Sequence, residues 1–233
     1  MQRISHITIL GGGLLGGSIA LATADRIPTT VWSRRAEAVA EATALGLHAT
    51  TDLAAAIAKA DLLILCVPVG AMAALLQQAI DCGLTSTCLI TDVGSVKRLP
   101  HEALRAITQA HQLDFIGSHP MAGGEKGGIA QARADLFQHA ACLLTNDEHC
   151  SAEKASALEE FWISLGCRTS WTDAATHDAL VARVSHFPHL LAAVGATVSL
   201  QDPSFAPFGG GGLRDTTRVA AGNPQMWADI LCE

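Results

Sequence analysis

Six residues constrain this chain more than any others. Gly11-Gly12-Gly13-Leu14-Leu15-Gly16 fits G-x-G-x-x-G between an apolar run of strand type and a helical one. Gly11 permits a tight turn, Gly13 lets backbone approach a pyrophosphate, and Gly16 lets the helix close on the strand. Leu14 and Leu15 begin the helix, whose unpaired N–H groups point at phosphate oxygens. A strand-turn-helix of this composition predicts a dinucleotide site.

The flanking pattern predicts an α/β chain with a Rossmann-type, doubly wound, mostly parallel sheet followed by a smaller all-helical domain. Strands are expected at 6–10, 29–32, 62–66, 88–91 and 115–117, and helices at 14–24, 36–45, 69–80 and 96–110. A shorter helix at 53–59 has Asp52 as its N-cap. After Met121 come a glycine-rich loop, a strand at 141–145, and alanine- and leucine-rich helical stretches. Residues 1–149 are thus expected to bind the dinucleotide, and 150–233 to form a helical substrate and dimerisation domain. Pro188 is expected to kink an apolar helix over 173–200, because it removes a backbone donor.

Composition excludes several function classes. The chain of 233 residues carries net charge −7 with fifteen scattered Lys and Arg, so no basic stripe offers itself to nucleic acid. Mean hydropathy is +0.30, yet no apolar run stands out as a membrane span, and a soluble, cytoplasmic protein is expected. Seven cysteines without a CxxC pair read as reduced thiols, neither disulfides nor zinc ligands. In an acidic chain an anionic substrate requires a local cationic pocket, which makes clustered arginines informative.

The second expected strand ends Val31-Trp32-Ser33-Arg34-Arg35. A chain specific for NAD usually places Asp or Glu there to accept from the ribose hydroxyls. Here Ser33 can hydrogen-bond a 2′-phosphate and Arg34 or Arg35 can pair with its charge, so NADP is favoured over NAD. Cys66-Val67-Pro68 and Asp92-Val93-Gly94-Ser95-Val96-Lys97 end two further strands, where open α/β sheets face their ligands. Ser95 and Lys97 are placed to reach cofactor or substrate, although Lys97 reads equally well as a surface helix residue.

Three groups carry candidate chemistry. Ser118-His119-Pro120 follows a strand, and the neutral imidazole of His119 can take a hydroxyl proton as hydride leaves the same carbon. In Ser185-His186-Phe187-Pro188-His189 the two histidines share a helical face. No nearby ligand set completes a metal site there, so His189 is read as a substrate contact and His186 as packing. Behind Gly209–Gly212, Arg214 and Arg218 lie one turn apart, as a carboxylate clamp would.

Taken together, the glycine fingerprint, Asp92-Val93-Gly94-Ser95-Val96-Lys97, Ser118-His119-Pro120-Met121-Ala122-Gly123, Ser185-His186-Phe187-Pro188-His189 and Gly211-Gly212-Leu213-Arg214-Asp215-Thr216-Thr217-Arg218 resemble the prephenate/arogenate dehydrogenase family along nearly the whole chain. The resemblance implies that His119 polarises or deprotonates a C4 hydroxyl and Ser95 orients it. Arg218 would grip a substrate carboxylate, His189 and Arg214 would line the pocket, and Gly124-Glu125-Lys126 would meet the side chain. It also implies a homodimer, within which this helical domain is short for the family. Prephenate, arogenate and a 4-amino-4-deoxy analogue remain open as substrates. A β-hydroxyacid dehydrogenase or imine reductase would lean on a catalytic Lys or Asp in the helical part, and an NADP-sensing module would bind without turnover.

Overall fold

A computed structural model describes residues 4–124 and 126–232. Six strands form one parallel sheet: β1 (Ile7–Leu10), β2 (Thr29–Trp32), β3 (His48–Thr50), β4 (Leu62–Leu65), β5 (Leu89–Asp92) and β6 (Asp114–Phe115). Their order is β3-β2-β1-β4-β5-β6, so the direction of winding reverses between β1 and β4. Ligands of open α/β sheets bind at that reversal, outside the strand C-termini.

Helices α1 (Leu14–Thr23), α2 (Ala36–Ala44), α3 (Leu53–Ile57), α4 (Val69–Asp81) and α5 (Arg98–His111) connect the strands. Asp52 caps α3 as expected, its carboxylate accepting from the Ala55 N–H at 3.1 Å. All four residues of β4 are buried, since a parallel sheet covered on both faces has no solvent side. Ile7, Ile9, Val31, Leu62 and Ile64 join one core cluster with Ile19 of α1. Leu10, Leu63, Leu65 and Ile90 join the other, with Met72 and Leu76 of α4 and Leu104 of α5.

The strand expected over 115–117 is in fact two. β6 stops at Phe115, and β7 (Gly117–Pro120) turns into a second sheet with β8 (Ala141–Thr145) and β9 (Arg168–Thr172). β7 runs antiparallel to β8, while β9 runs parallel to β8 after a crossover through α6 (Ala152–Ser164). This crossover moves the division of the chain. The first compact unit extends to His177, beyond the expected boundary between 149 and 150, because β9 pairs with β8 and Trp162 of α6 is fully buried in the first core.

The second unit begins at Asp178. α7 (Ala174–Val181) passes through a π-helical turn at Ala182–His186 into α8 (Phe187–Ser199). The Phe187 N–H bonds the Ala182 carbonyl, a five-residue reach. This widened turn stands just before Pro188, and the helix continues through the proline despite its missing donor. The continuous stretch Ala174–Ser199 is long and apolar enough to cross a membrane, contrary to the sequence expectation of no such run. Asp178 and Arg183 within it would be costly in hydrocarbon, so its apolar surface suits a protein partner better than lipid. Three short segments complete the unit: a 3₁₀ turn at Pro203–Phe208, α9 (Gly211–Thr217) continuing into a 3₁₀ turn at Arg218–Ala221, and α10 (Pro224–Cys232).

Candidate active site

The head of α1 is built as a cradle. Gly11 has φ +127°, and a Cβ there would collide with the Cys66 carbonyl oxygen; a Cβ on Gly16 would collide with that of Gly11. A Cβ on Gly13 would meet nothing within 4 Å. The turn is thus pinned at both ends and open in the middle, where backbone must approach a phosphate. Gly13 is the N-cap of α1, no side chain of the described residues caps the helix, and no acid stands in its first turn. Its orphan N–H groups are therefore available to an anion. These residues fit a dinucleotide.

The neighbouring strand ends complete the rim. Cys66 donates its backbone N–H to the Leu10 carbonyl at 2.8 Å, and burial pushes its thiol up, so it is un-ionised. Val67 is half-buried and Pro68 is the exposed N-cap residue of α4. Ser33 is buried at the end of β2, its Cβ 3.8 Å from where a Cβ on Gly12 would lie, and its Oγ accepts from the Arg35 N–H at 3.3 Å. Arg34 and Arg35 are exposed. Ser33 therefore sits against the glycine turn with two cations following it.

His119 is carried on a braced strand. Asp92, at the end of β5, accepts from the Ser118 N–H at 3.1 Å through Oδ1 and from the Gly94 N–H at 2.8 Å through Oδ2. Lys97 forms an ion pair with the same Oδ2, and both side chains are wholly buried. Ser118 Oγ accepts from Trp162 Nε1 at 2.9 Å and lies 2.7 Å from Thr91 Oγ1. With its neighbour held through both backbone and side chain, His119 has little freedom at the mouth of the sheet, and it is buried.

Two expectations change here. Lys97 does not reach toward a ligand; it is interior, because a buried ammonium needs a carboxylate partner and Asp92 supplies one. The Asp92 carboxylate, expected at the cofactor, is turned to Lys97, Gly94 and Ser118 and acts as the brace. Gly94 and Ser95 are half-buried in the turn that follows β5. A Cβ on Gly124 would lie 3.4 Å from Leu14 Cδ2, so the loop after His119 lies against the first turn of α1, where Leu14 and Leu15 are half-buried. Glu125 lies outside the described residues.

The sequence reading missed His177. Its Nε2 is 2.9 Å from His119 Nδ1, with the ring centroids 5.1 Å apart. His177 is fully buried. A histidine in the first turn of a helix capped by Asp173 was the available signal.

In the second unit, His189 is stacked on Trp227 with centroids 3.4 Å apart and planes 14° from parallel. Among the described residues, neither of its ring nitrogens has a hydrogen-bond partner of normal geometry. Burial lowers its pKa, partly offset by the Val219 backbone, so the ring is neutral at neutral pH. His186 meets the same indole edge-on at 6.1 Å. Arg214 is exposed, with its Nε 3.5 Å from an oxygen of Asp215. Arg218 is exposed and opens the 3₁₀ turn that follows α9.

Comparison with known proteins converges on one family. Residues 22–170 match the nucleotide-binding domain model of prephenate dehydrogenase, and residues 173–233 match its dimerization domain model. A cyclohexadienyl dehydrogenase of Zymomonas mobilis is 36% identical over 100% of this chain and 82% of its own length. A prephenate dehydrogenase of Lactococcus lactis is 34% identical over 98% of this chain, which spans only 64% of that relative. Among solved structures, prephenate dehydrogenase of A. aeolicus in complex with hydroxyphenyl propionate and NAD+ superposes with TM-score 0.87 at 26% identity, covering 99% of this chain and 83% of that one. With both domain models matched in order and the glycine cradle, strand ends and His119 in place, the chain belongs to the prephenate dehydrogenase family.

Proposed function

We propose that this chain, as a cytoplasmic homodimer, carries out NADP-dependent oxidative decarboxylation of arogenate, prephenate or both, a step toward tyrosine. The observation that carries this reading is His119, whose neighbour Ser118 is held by Asp92 at the end of β5, on the same edge of the parallel sheet as the glycine turn after β1. A nicotinamide supplies the two-electron acceptor when bound. His119 takes the C4 hydroxyl proton as hydride leaves that carbon, and Ser95 orients the hydroxyl. The ring carboxylate departs as carbon dioxide, leaving its bonding pair in the ring. The proton held on His119 returns to the phenol oxygen, so no net proton is consumed. Arg218 holds a substrate carboxylate, Arg214 and His189 contact the substrate, and Gly124 and Glu125 meet its side chain. The test is stoichiometry: carbon dioxide and reduced cofactor should appear one to one from prephenate or arogenate, and reduction without decarboxylation would refute it.

NADP is preferred in this reading because Ser33, Arg34 and Arg35 stand where a ribose-binding acid would otherwise be. Ser33→Asp places a carboxylate against the 2′-phosphate. The ratio of kcat/KM for NADP to that for NAD should fall roughly 100-fold, since like charges in contact cost several kcal/mol. An unchanged ratio would remove the argument for NADP.

The homodimer is supported by the surface of the second unit. Phe187, Leu191, Val194 and Val198 of α8 are 52 to 62% exposed, and they recur at steps of four, three and four residues. That spacing makes one apolar seam along a helix, the pattern that pairs with another helix. Leu191→Asp combined with Val194→Asp should convert the dimer to monomer in sedimentation equilibrium, and a double variant that stays dimeric would place the interface elsewhere.

A further inference from the structure

We propose that His177 is a positioning residue for His119, fixing which of its nitrogens carries the proton. The proposal rests on the reading of His119 as the base. A neutral imidazole has one N–H and one lone pair, so a contact between two rings needs one donor and one acceptor. The contact uses Nδ1 of His119 and Nε2 of His177, 2.9 Å apart. Two arrangements satisfy it. If His177 donates, His119 keeps its lone pair on Nδ1, tied up in the contact, and its Nε2 carries a proton and cannot accept one. If His119 donates from Nδ1, its lone pair lies on Nε2 and the ring is a base. Only the second arrangement lets His119 accept a hydroxyl proton. It requires His177 to be the neutral ring protonated on Nδ1.

The surroundings hold His177 for this purpose. Asp173 caps the start of α7, accepting from the Thr176 N–H at 2.9 Å and the Thr176 hydroxyl at 2.6 Å. Asp147, just past β8, accepts from the Ala174 N–H at 3.1 and 3.2 Å. The His177 N–H bonds the Asp173 carbonyl at 2.9 Å. The imidazole is therefore delivered from the first turn of a helix tied at two points, while His119 is delivered from a strand tied to Asp92. Two rings, each held by its own element, leave one geometry for the bond between them. When Nε2 takes up a proton, the positive charge shared with Nδ1–H strengthens the bond to the neutral acceptor, so His177 also steadies the imidazolium that forms.

The test has one arm that needs no turnover. Long-range ¹H–¹⁵N correlation spectra of ring-labelled protein report the tautomer of each histidine, and His119 is assigned by its loss in His119→Asn. We expect His119 to be protonated on Nδ1, the less common form of a free imidazole, and to shift toward Nε2 protonation in His177→Leu. The second arm is kinetic: His177→Leu should lower kcat about 10- to 100-fold with KM for substrate and cofactor nearly unchanged. His177→Gln, which retains an acceptor, should recover most of that loss. His119 protonated on Nε2 in the wild-type protein would overturn the proposal. So would a His177→Gln enzyme as slow as His177→Leu while both bind NADP normally. If the wild-type protein turned over neither prephenate nor arogenate, the functional reading would fail while the spectra still decided the pairing.

Discussion

His119→Asn should lower kcat roughly 1,000-fold while leaving KM for substrate and the affinity for NADP close to wild type. A positioned general base contributes about 10²- to 10⁴-fold. Asparagine approximates the volume of the ring near Nδ1 and can keep a contact to His177, so the strand and its brace should persist. What disappears is the lone pair on Nε2, which the substrate hydroxyl needs only as hydride departs. A loss felt in the transition state and not in the ground state appears in kcat and kcat/KM together. Steady-state kinetics with a separate fluorescence titration of NADP checks this. A fall in KM-dependent terms alone would assign His119 to binding and leave the base unidentified.

Arg218→Ala should have the complementary signature. A guanidinium paired with a substrate carboxylate away from water is worth roughly 2 to 4 kcal/mol, so KM for prephenate or arogenate should rise about 30- to 1,000-fold. The effect on kcat should be smaller, because the carboxylate is held similarly before and during hydride transfer. Arg214→Ala should be milder, since in the proposed reading Arg214 lines the pocket while Arg218 holds the carboxylate. If Arg218→Ala left KM unchanged, the second unit would not carry the carboxylate clamp. Equal KM effects from Arg214→Ala and Arg218→Ala would instead make the clamp a shared one.

The parts of this molecule that were legible in the sequence are those whose chemistry is local. The glycine turn, strands β1, β2, β4 and β5 and the Asp52 cap follow from neighbours within a few residues, and the structure reproduces them to within about two residues, the usual uncertainty of helix and strand ends; the three-residue β3 was not read, since it becomes a strand only by pairing with β2. What stayed hidden depends on partners far along the chain. β9 reads Arg-Thr-Ser-Trp-Thr, with three of its five residues exposed; only pairing with β8 makes it a strand. Lys97 reads as a ligand contact or a surface residue, because nothing in a helix start announces that Asp92, five residues earlier on a strand end, will take its charge into the core. His177 is 58 residues from His119, and neither motif points to the other. The π turn before Pro188 was hidden for a different reason. Proline marks a disturbance of the helix, but nothing in the neighbouring residues announces that it is preceded by a π turn at Ala182–His186.

The claim on which the rest depends is that the nucleotide cradle and His119 serve one reaction on a cyclohexadiene acid. Initial rates of the purified chain with prephenate and L-arogenate, each with NADP and with NAD, measured by the appearance of reduced nicotinamide, test it directly. The expected result is turnover of at least one acid, faster at limiting cofactor with NADP than with NAD. Tight NADP binding with no reduction by either acid would contradict the account.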